Sequence, residues 1–198
     1  MSPIQTCMLT CALALPLALT SASAQAGKLV GKKAPAFSLT DQHGKKHDLK
    51  AYQGKTVVLE WTNPQCPFVV RHYDAKTMKN LAENFDSKGI VWLAVNSSHF
   101  VKHADSKAWA KKYGHTFPTL LDTDGKIGKA YNAKTTPHMF IIDGKGIVQY
   151  EGAIDSDSWG EDAKSTNYVN SALQAMLKKK PVDPNATKAY GCSVKYKR

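Results

Sequence analysis

Of the four cysteines in the chain, two stand where they could do chemistry. Cys66 closes the stretch Val57–Pro67, VVLEWTNPQCP. An apolar run ends at Trp61, Asn63-Pro64-Gln65 supplies a turn, and Pro67 opens a helix-compatible segment. Proline suits the first helical position because its missing N–H has no partner there anyway. The thiol therefore lies at a strand-to-helix junction, at or near the helix N-cap. Backbone N–H groups and the helix dipole stabilise an anion at that point, which favours a reactive thiolate. Cys192 lies in the C-terminal tail. If the protein is exported, the two can pair. Such a bridge would close most of the chain into one loop, worth roughly 4–5 kcal/mol in the chain-entropy account. Two readings stay open: an exchanging thiol pair, or a permanent staple. Arg71 and His72 lie further along the helix from Cys66. Arg71 is a candidate to stabilise the thiolate, and equally a solvated side chain. His72 and His138 read as surface or packed histidines.

These residues are positioned by an alternation of strands and helices. Gly31 to Leu39 and Lys45 to Leu49, joined by the turn Asp41-Gln42-His43-Gly44, read as an N-terminal hairpin. Thr56–Trp61 and Ile90–Val95 are continuous apolar runs, as expected for strands covered on both faces. Pro67–Asp86 reads as one long helix with Phe68, Val69, Met78, Leu81 and Phe85 on a broad apolar face. Ser106–Tyr113 reads as a short helix, Thr119–Leu121 as a strand and Lys126–Tyr131 as a helical turn or two. Met139–Asp143 and Ile147–Tyr150 flank the hairpin signal Gly144-Lys145-Gly146. Thr166–Leu177 is a final amphipathic helix. The order predicts an α/β fold with a mixed sheet between helices, its first half parallel. Cys66 then sits at the carboxyl end of that sheet, where such folds place their sites.

The chain has 198 residues, 42% hydrophobic and 22% charged, which suits one soluble domain with extras. A formal net charge of +11 comes from scattered lysines. No basic stretch interleaved with aromatics argues for nucleic acid. Met8–Leu19 is apolar but short for a bilayer span, and Ala22-Ser23-Ala24 fits a cleavage site. Residues 1–24 therefore read as a signal peptide that sets aside Cys7 and Cys11. Residues 25–180 form the domain and 181–198 a basic tail carrying Cys192. The location that follows is periplasmic or secreted, with no membrane contact apart from the signal segment.

Four stretches together resemble the thioredoxin-fold redoxins, the broad peroxiredoxin and alkyl hydroperoxide reductase-like family. They are the lead-in Gly31-x-x-Ala34-Pro35-x-Phe37-x-Leu39-x-Asp41-x-x-Gly44, the strand-to-cysteine stretch Val57–Pro67, the pair Thr136-Pro137, and Gly191-Cys192-Ser193-Val194-Lys195-Tyr196. The combination of Cys66-Pro67-Phe68-Val69 with a terminal Gly-Cys-Ser is similar to an exported bacterial subgroup. The resemblance implies a thioredoxin-like three-layer sandwich. It also implies a cis peptide at Thr136-Pro137 facing the active thiol, and Cys192 as a resolving partner of Cys66. It further implies a thiol-dependent oxidoreductase, first of all a peroxiredoxin-like peroxidase, acting on a peroxide or a disulfide without a cofactor. A thiol reductant such as a thioredoxin-like protein would restore it. Two departures bear on the reaction. A dithiol oxidoreductase carries Cys-x-x-Cys, whereas Asn63-Pro64-Gln65-Cys66 holds one sulfur. A peroxiredoxin carries threonine or serine and proline where this chain has Asn63 and Leu59; Asn63 would have to meet the peroxide or the thiolate instead. The alternatives are a thiol-disulfide oxidoreductase, a copper-binding protein using Cys66, Cys192 and His138 or His72, or a non-catalytic protein with a structural Cys66–Cys192 bridge.

Overall fold

The computed structural model describes residues 28–197. The signal peptide expected over residues 1–24 lies outside them. Seven strands make the central sheet: β1 (Ser38–Asp41), β2 (Lys46–Asp48), β3 (Val57–Trp61), β4 (Val91–Asn96), β5 (Thr119–Leu121), β7 (His138–Ile142) and β8 (Val148–Gly152). Their order is β2-β1-β5-β4-β3-β7-β8. β3, β4 and β5 run parallel, and β1–β2, β1–β5, β3–β7 and β7–β8 are antiparallel. The sheet is mixed and carries the expected N-terminal hairpin.

Every residue of β3 and β7 is buried, which is why both are predominantly apolar, with Glu60 and His138 the exceptions. The pleat sends alternate side chains to opposite cores, and a bulge opposite Ile141–Ile142 puts Val148 and Tyr150 of β8 on opposite sides. Val58, Trp92, Ala94, Met139, Ile141 and Tyr150 enter one core, whereas Val57, Leu59, Trp61, Leu93, Phe140 and Val148 enter the other. The first core is closed by α1 (Pro67–Asp74), α2 (Thr77–Asp86), α3 (His103–Tyr113) and α5 (Tyr168–Leu177). The second is closed by the N-terminal segment, by Ile127 of α4 (Lys126–Ala130), and by Tyr131, Ala133 and Val194. Trp61 belongs to this second core, where its indole N–H donates to Ser97 Oγ at 3.0 Å.

Pro67–Asp86 is two helices rather than one. Lys76 adopts φ 57°, ψ 18°, a left-handed conformation that ends α1 and caps α2. The break has a packing cause. Tyr73 and Met78 are both buried in the first core. Five residues along a straight helix would set them about 140° apart, on different faces. Two more elements were hidden in the sequence: β6 (Thr135–Thr136) and β9 (Cys192–Ser193), which pair antiparallel away from the main sheet. The tail thus returns to the body of the fold beside Thr136. Among the described residues, no helix is long and apolar enough to cross a membrane.

Candidate active site

Cys66 is the N-cap of α1, with Pro67 at the first helical position. The preceding turn is closed by Asn63, whose side-chain oxygen accepts from Gln65 N–H and whose carbonyl accepts from Cys66 N–H, both at 2.9 Å. Asn63 is thus a turn-former, its side-chain oxygen spent on Gln65 rather than on the Cys66 sulfur. The residues three before and three after Cys66 are Asn63 and Val69, so neither side of the thiol offers a second sulfur at that spacing.

Thr136-Pro137 is a cis peptide bond. The Thr136 carbonyl accepts a hydrogen bond from the Cys66 thiol at 3.0 Å. The same Thr136 is the register partner of Cys192. One residue therefore holds both cysteines, and the two thiols are unbridged in the structure. Cys66 is buried, with 1% of its surface exposed, and Cys192 is half-buried above it. Gly191 makes this approach feasible. Its φ is +119°, and a Cβ there would collide with the Thr136 carbonyl.

The electrostatics separate the two sulfurs. Burial pushes the Cys66 thiol up, but the neighbouring polar groups, namely the Thr136 and Cys192 side chains and the backbone N–H groups of Cys192 and Val69, outweigh it and leave Cys66 below the ordinary value. As a thiol Cys66 donates to the Thr136 carbonyl; as a thiolate it has the donors just named. Cys192 moves the other way. Burial, the hydrogen bond with Cys66 and the repulsion of its charge raise it, against a smaller pull from Lys195. The first proton to leave the pair therefore comes from Cys66.

Arg71 turns away from the sulfur. Its Nη2 donates to Asp157 O at 2.7 Å and Tyr190 Oη at 3.1 Å, lies 2.9 Å from His72 Nε2, and is 3.7 Å from Asp155. His72 is fully buried against Tyr190, and burial with the neighbouring Arg71 charge lowers it to about 3. His138 packs on Phe140 and is lowered to about 4 by burial. Among the described residues, no three His, Cys, Asp or Glu side chains converge as a metal site. The copper set Cys66, Cys192 and His138 or His72 is therefore not assembled.

Sequence reasoning missed Glu60. It lies on β3, fully buried on the α1 side, and its Oε2 accepts from Trp92 Nε1 at 3.0 Å. Burial raises it to about 7. The available signal was a single charge inside the run Val57–Trp61, which otherwise reads as covered on both faces. Tyr190, directly before the Gly-Cys-Ser motif, was also missed, and Tyr196 was read only as part of that motif, with no role of its own.

The site sits in a recognisable frame. A family model described as AhpC/TSA family matches residues 30–151. The chain belongs to the AhpC/TSA family. Its match to that family includes Cys66 and the Thr136-Pro137 turn and stops short of Cys192. The chain is 33% identical over 120 residues to the thiol-disulfide oxidoreductase ResA of Geobacillus kaustophilus, spanning 61% of this chain and 67% of that protein. A solved structure of an uncharacterized conserved protein from Geobacillus kaustophilus superposes with a TM-score of 0.79 at 29% identity, covering 85% of this chain and 92% of the other. A secreted Mycobacterium tuberculosis disulfide oxidoreductase homologous to E. coli DsbE gives a TM-score of 0.51 at 23% identity, covering 57% and 79%. That likeness speaks for the fold, which is thioredoxin-like.

Proposed function

We propose that this AhpC/TSA protein is a thiol-disulfide oxidoreductase that works with Cys66 as nucleophile and Cys192 as second sulfur. The observation that carries the reading is the shared seat of both cysteines on Thr136. The relatives called thiol-disulfide oxidoreductases support the same class of reaction. The Cys66 thiolate attacks one sulfur of a substrate disulfide. A mixed disulfide forms and one substrate thiolate leaves. Cys192 loses its proton to solvent as it attacks Cys66 Sγ, breaking the mixed bond and expelling the second substrate thiolate. The substrate gains two electrons and the cysteine pair becomes a disulfide. An external dithiol of the thioredoxin-like class returns the electrons. Reading residues 1–24 as an export signal places this exchange in the periplasm or outside the cell.

The peroxidase reading has less support. Arg71, the candidate to stabilise the thiolate, is held by Tyr190 and Asp157, and the Asn63 side-chain oxygen is committed to the turn, which leaves only the Asn63 amide N–H group to meet a peroxide. Single-turnover exchange with a disulfide substrate tests the proposal. Cys66→Ser abolishes exchange, and Cys192→Ser accumulates a mixed disulfide on Cys66. A Cys66→Ser protein as active as wild type sinks it. Cys66-dependent peroxide consumption without disulfide exchange would restore the peroxidase reading.

A further inference from the structure

We propose that Tyr190 and Tyr196 are positioning residues that clamp the tail on either side of Cys192 and hold its sulfur against Cys66 for the second exchange step. The inference rests on the reading of the pair given above. It starts from a deficit. β9 is two residues long, and two strands of that length do not hold one another in water. Something else must keep Cys192 over Thr136.

On one side that anchor is Tyr190. Its ring lies 6.0 Å from Phe68 and 6.3 Å from His72, both on α1. Its hydroxyl donates to Asp155 Oδ1, accepts from Arg71 Nη2 at 3.1 Å, and lies 2.8 Å from His72 Nε2. Arg71 and His72 come from the helix that Cys66 caps. Asp155 comes from the connection between β8 and α5. These partners tie the tail both to the helix that Cys66 caps and to the connection that follows β8. This also accounts for Arg71, which the thiol does not use.

On the other side the anchor is Tyr196. Its hydroxyl donates to Ala133 O at 2.7 Å. Its ring fills a slot made by two glycines. A Cβ on Gly125 would stand 2.6 Å from Tyr196 Cδ1. A Cβ on Gly128 would strike the Tyr196 ring and come within 2.7 Å of Ser97 Oγ. Gly125 has a left-handed φ of +69°, which explains a glycine by itself. Gly128 has no such excuse. It lies inside α4, where glycine costs about 1 kcal/mol relative to alanine. A larger residue there would press on the Tyr196 ring and on Ser97 Oγ. Between the anchors, Val194 N–H donates to Lys134 O at 3.0 Å and Lys195 O accepts from His99 N–H at 2.9 Å.

Clamping restricts where the Cys192 sulfur can go, so its effective concentration at Cys66 exceeds that of a free tail. The test uses Tyr190→Phe and Tyr196→Phe, which delete the hydroxyls and keep the rings. Tyr52→Phe is the control, since its hydroxyl meets His47, away from the site. Two quantities are measured: the Cys66–Cys192 disulfide equilibrium against glutathione, and the rate at which Cys192 releases glutathione from Cys66. Each clamp variant lowers both by about tenfold, the scale of one hydrogen bond to a charged or buried partner, and Tyr52→Phe leaves both unchanged. If a phenylalanine variant fails to fold, Gly128→Ala makes the test instead by pushing the ring from its slot, with the same expected drop. Clamp variants, or a folded Gly128→Ala, with wild-type equilibrium and rate overturn the clamp while leaving the function reading intact. A wild-type protein that never forms the Cys66–Cys192 bond removes the function reading and the clamp with it.

Discussion

At the scale of single residues, the site is built around Thr136, whose carbonyl, side chain and strand position all engage a cysteine. Its buried hydroxyl has no hydrogen-bond partner among the described residues, and it lowers the proton affinity of the Cys66 sulfur. Thr136→Val removes a donor to the thiolate and keeps the shape. The Cys66 titration midpoint should therefore move to higher pH, as read by thiolate absorbance with Cys192→Ser as the background. Movement to lower pH would contradict the assigned donor. Gly191 tests the geometry from the other strand. Gly191→Ala meets both a left-handed φ and the Thr136 carbonyl, so β9 should lift. With about 1–3 kcal/mol of backbone strain set against the docked tail, alkylation of Cys66 at neutral pH should quicken by about tenfold or more. An unchanged rate would mean that the tail does not cover the thiol.

At the scale of elements, the molecule divides into what the chain pattern announces and what only packing creates. β3, β4 and β7 were legible because burial on both faces leaves continuous apolar runs, and the position of Cys66 followed from the strand-turn-proline order. The α1–α2 break was not legible. Lys76 carries no turn signal, and its left-handed conformation serves the joint burial of Tyr73 and Met78. β6 and β9 were hidden for a related reason: two-residue strands have no periodicity to read, and their pairing depends on a contact between distant parts of the chain. Cys192 could be singled out as a partner, whereas Asn63 and Arg71 were candidates by proximity in sequence: Asn63 gives its side-chain oxygen to the turn, and Arg71 pairs with Asp157 and Tyr190. The break carries its own prediction. Lys76→Gly relieves a left-handed non-glycine residue and should raise stability by about 0.5–1 kcal/mol in denaturant unfolding. A loss of stability would show that Lys76 contributes contacts that outweigh its strain.

At the scale of the whole molecule, buried titratable groups set opposing pH trends. Burial lowers His72 to about 3, and His115 and His138 to about 4. Their contribution is complete above the ordinary value of 6.5 and is lost as pH falls from there. Glu60 is raised from 4.5 to about 7, so its contribution is complete below 4.5 and is lost as pH rises toward 7. Between these ordinary values three histidines oppose one glutamate, and stability should rise with pH. Glu60→Gln should steepen that rise and leave the protein more stable than wild type above pH 7, by up to about 3 kcal/mol. Urea midpoints across the range check both signs, and a variant with an unaltered pH profile would mean that Glu60 does not titrate in this window. The central claim concerns the sulfur pair, and one measurement meets it most directly. The protein is mixed with oxidised glutathione, quenched by alkylation and analysed by mass spectrometry, beside Cys192→Ser. The account predicts a Cys66–Cys192 bond in the wild type that reduced glutathione reopens, and one retained glutathione on Cys66 in the variant. Two free thiols after oxidation, or a bridge that glutathione does not reopen, would contradict it.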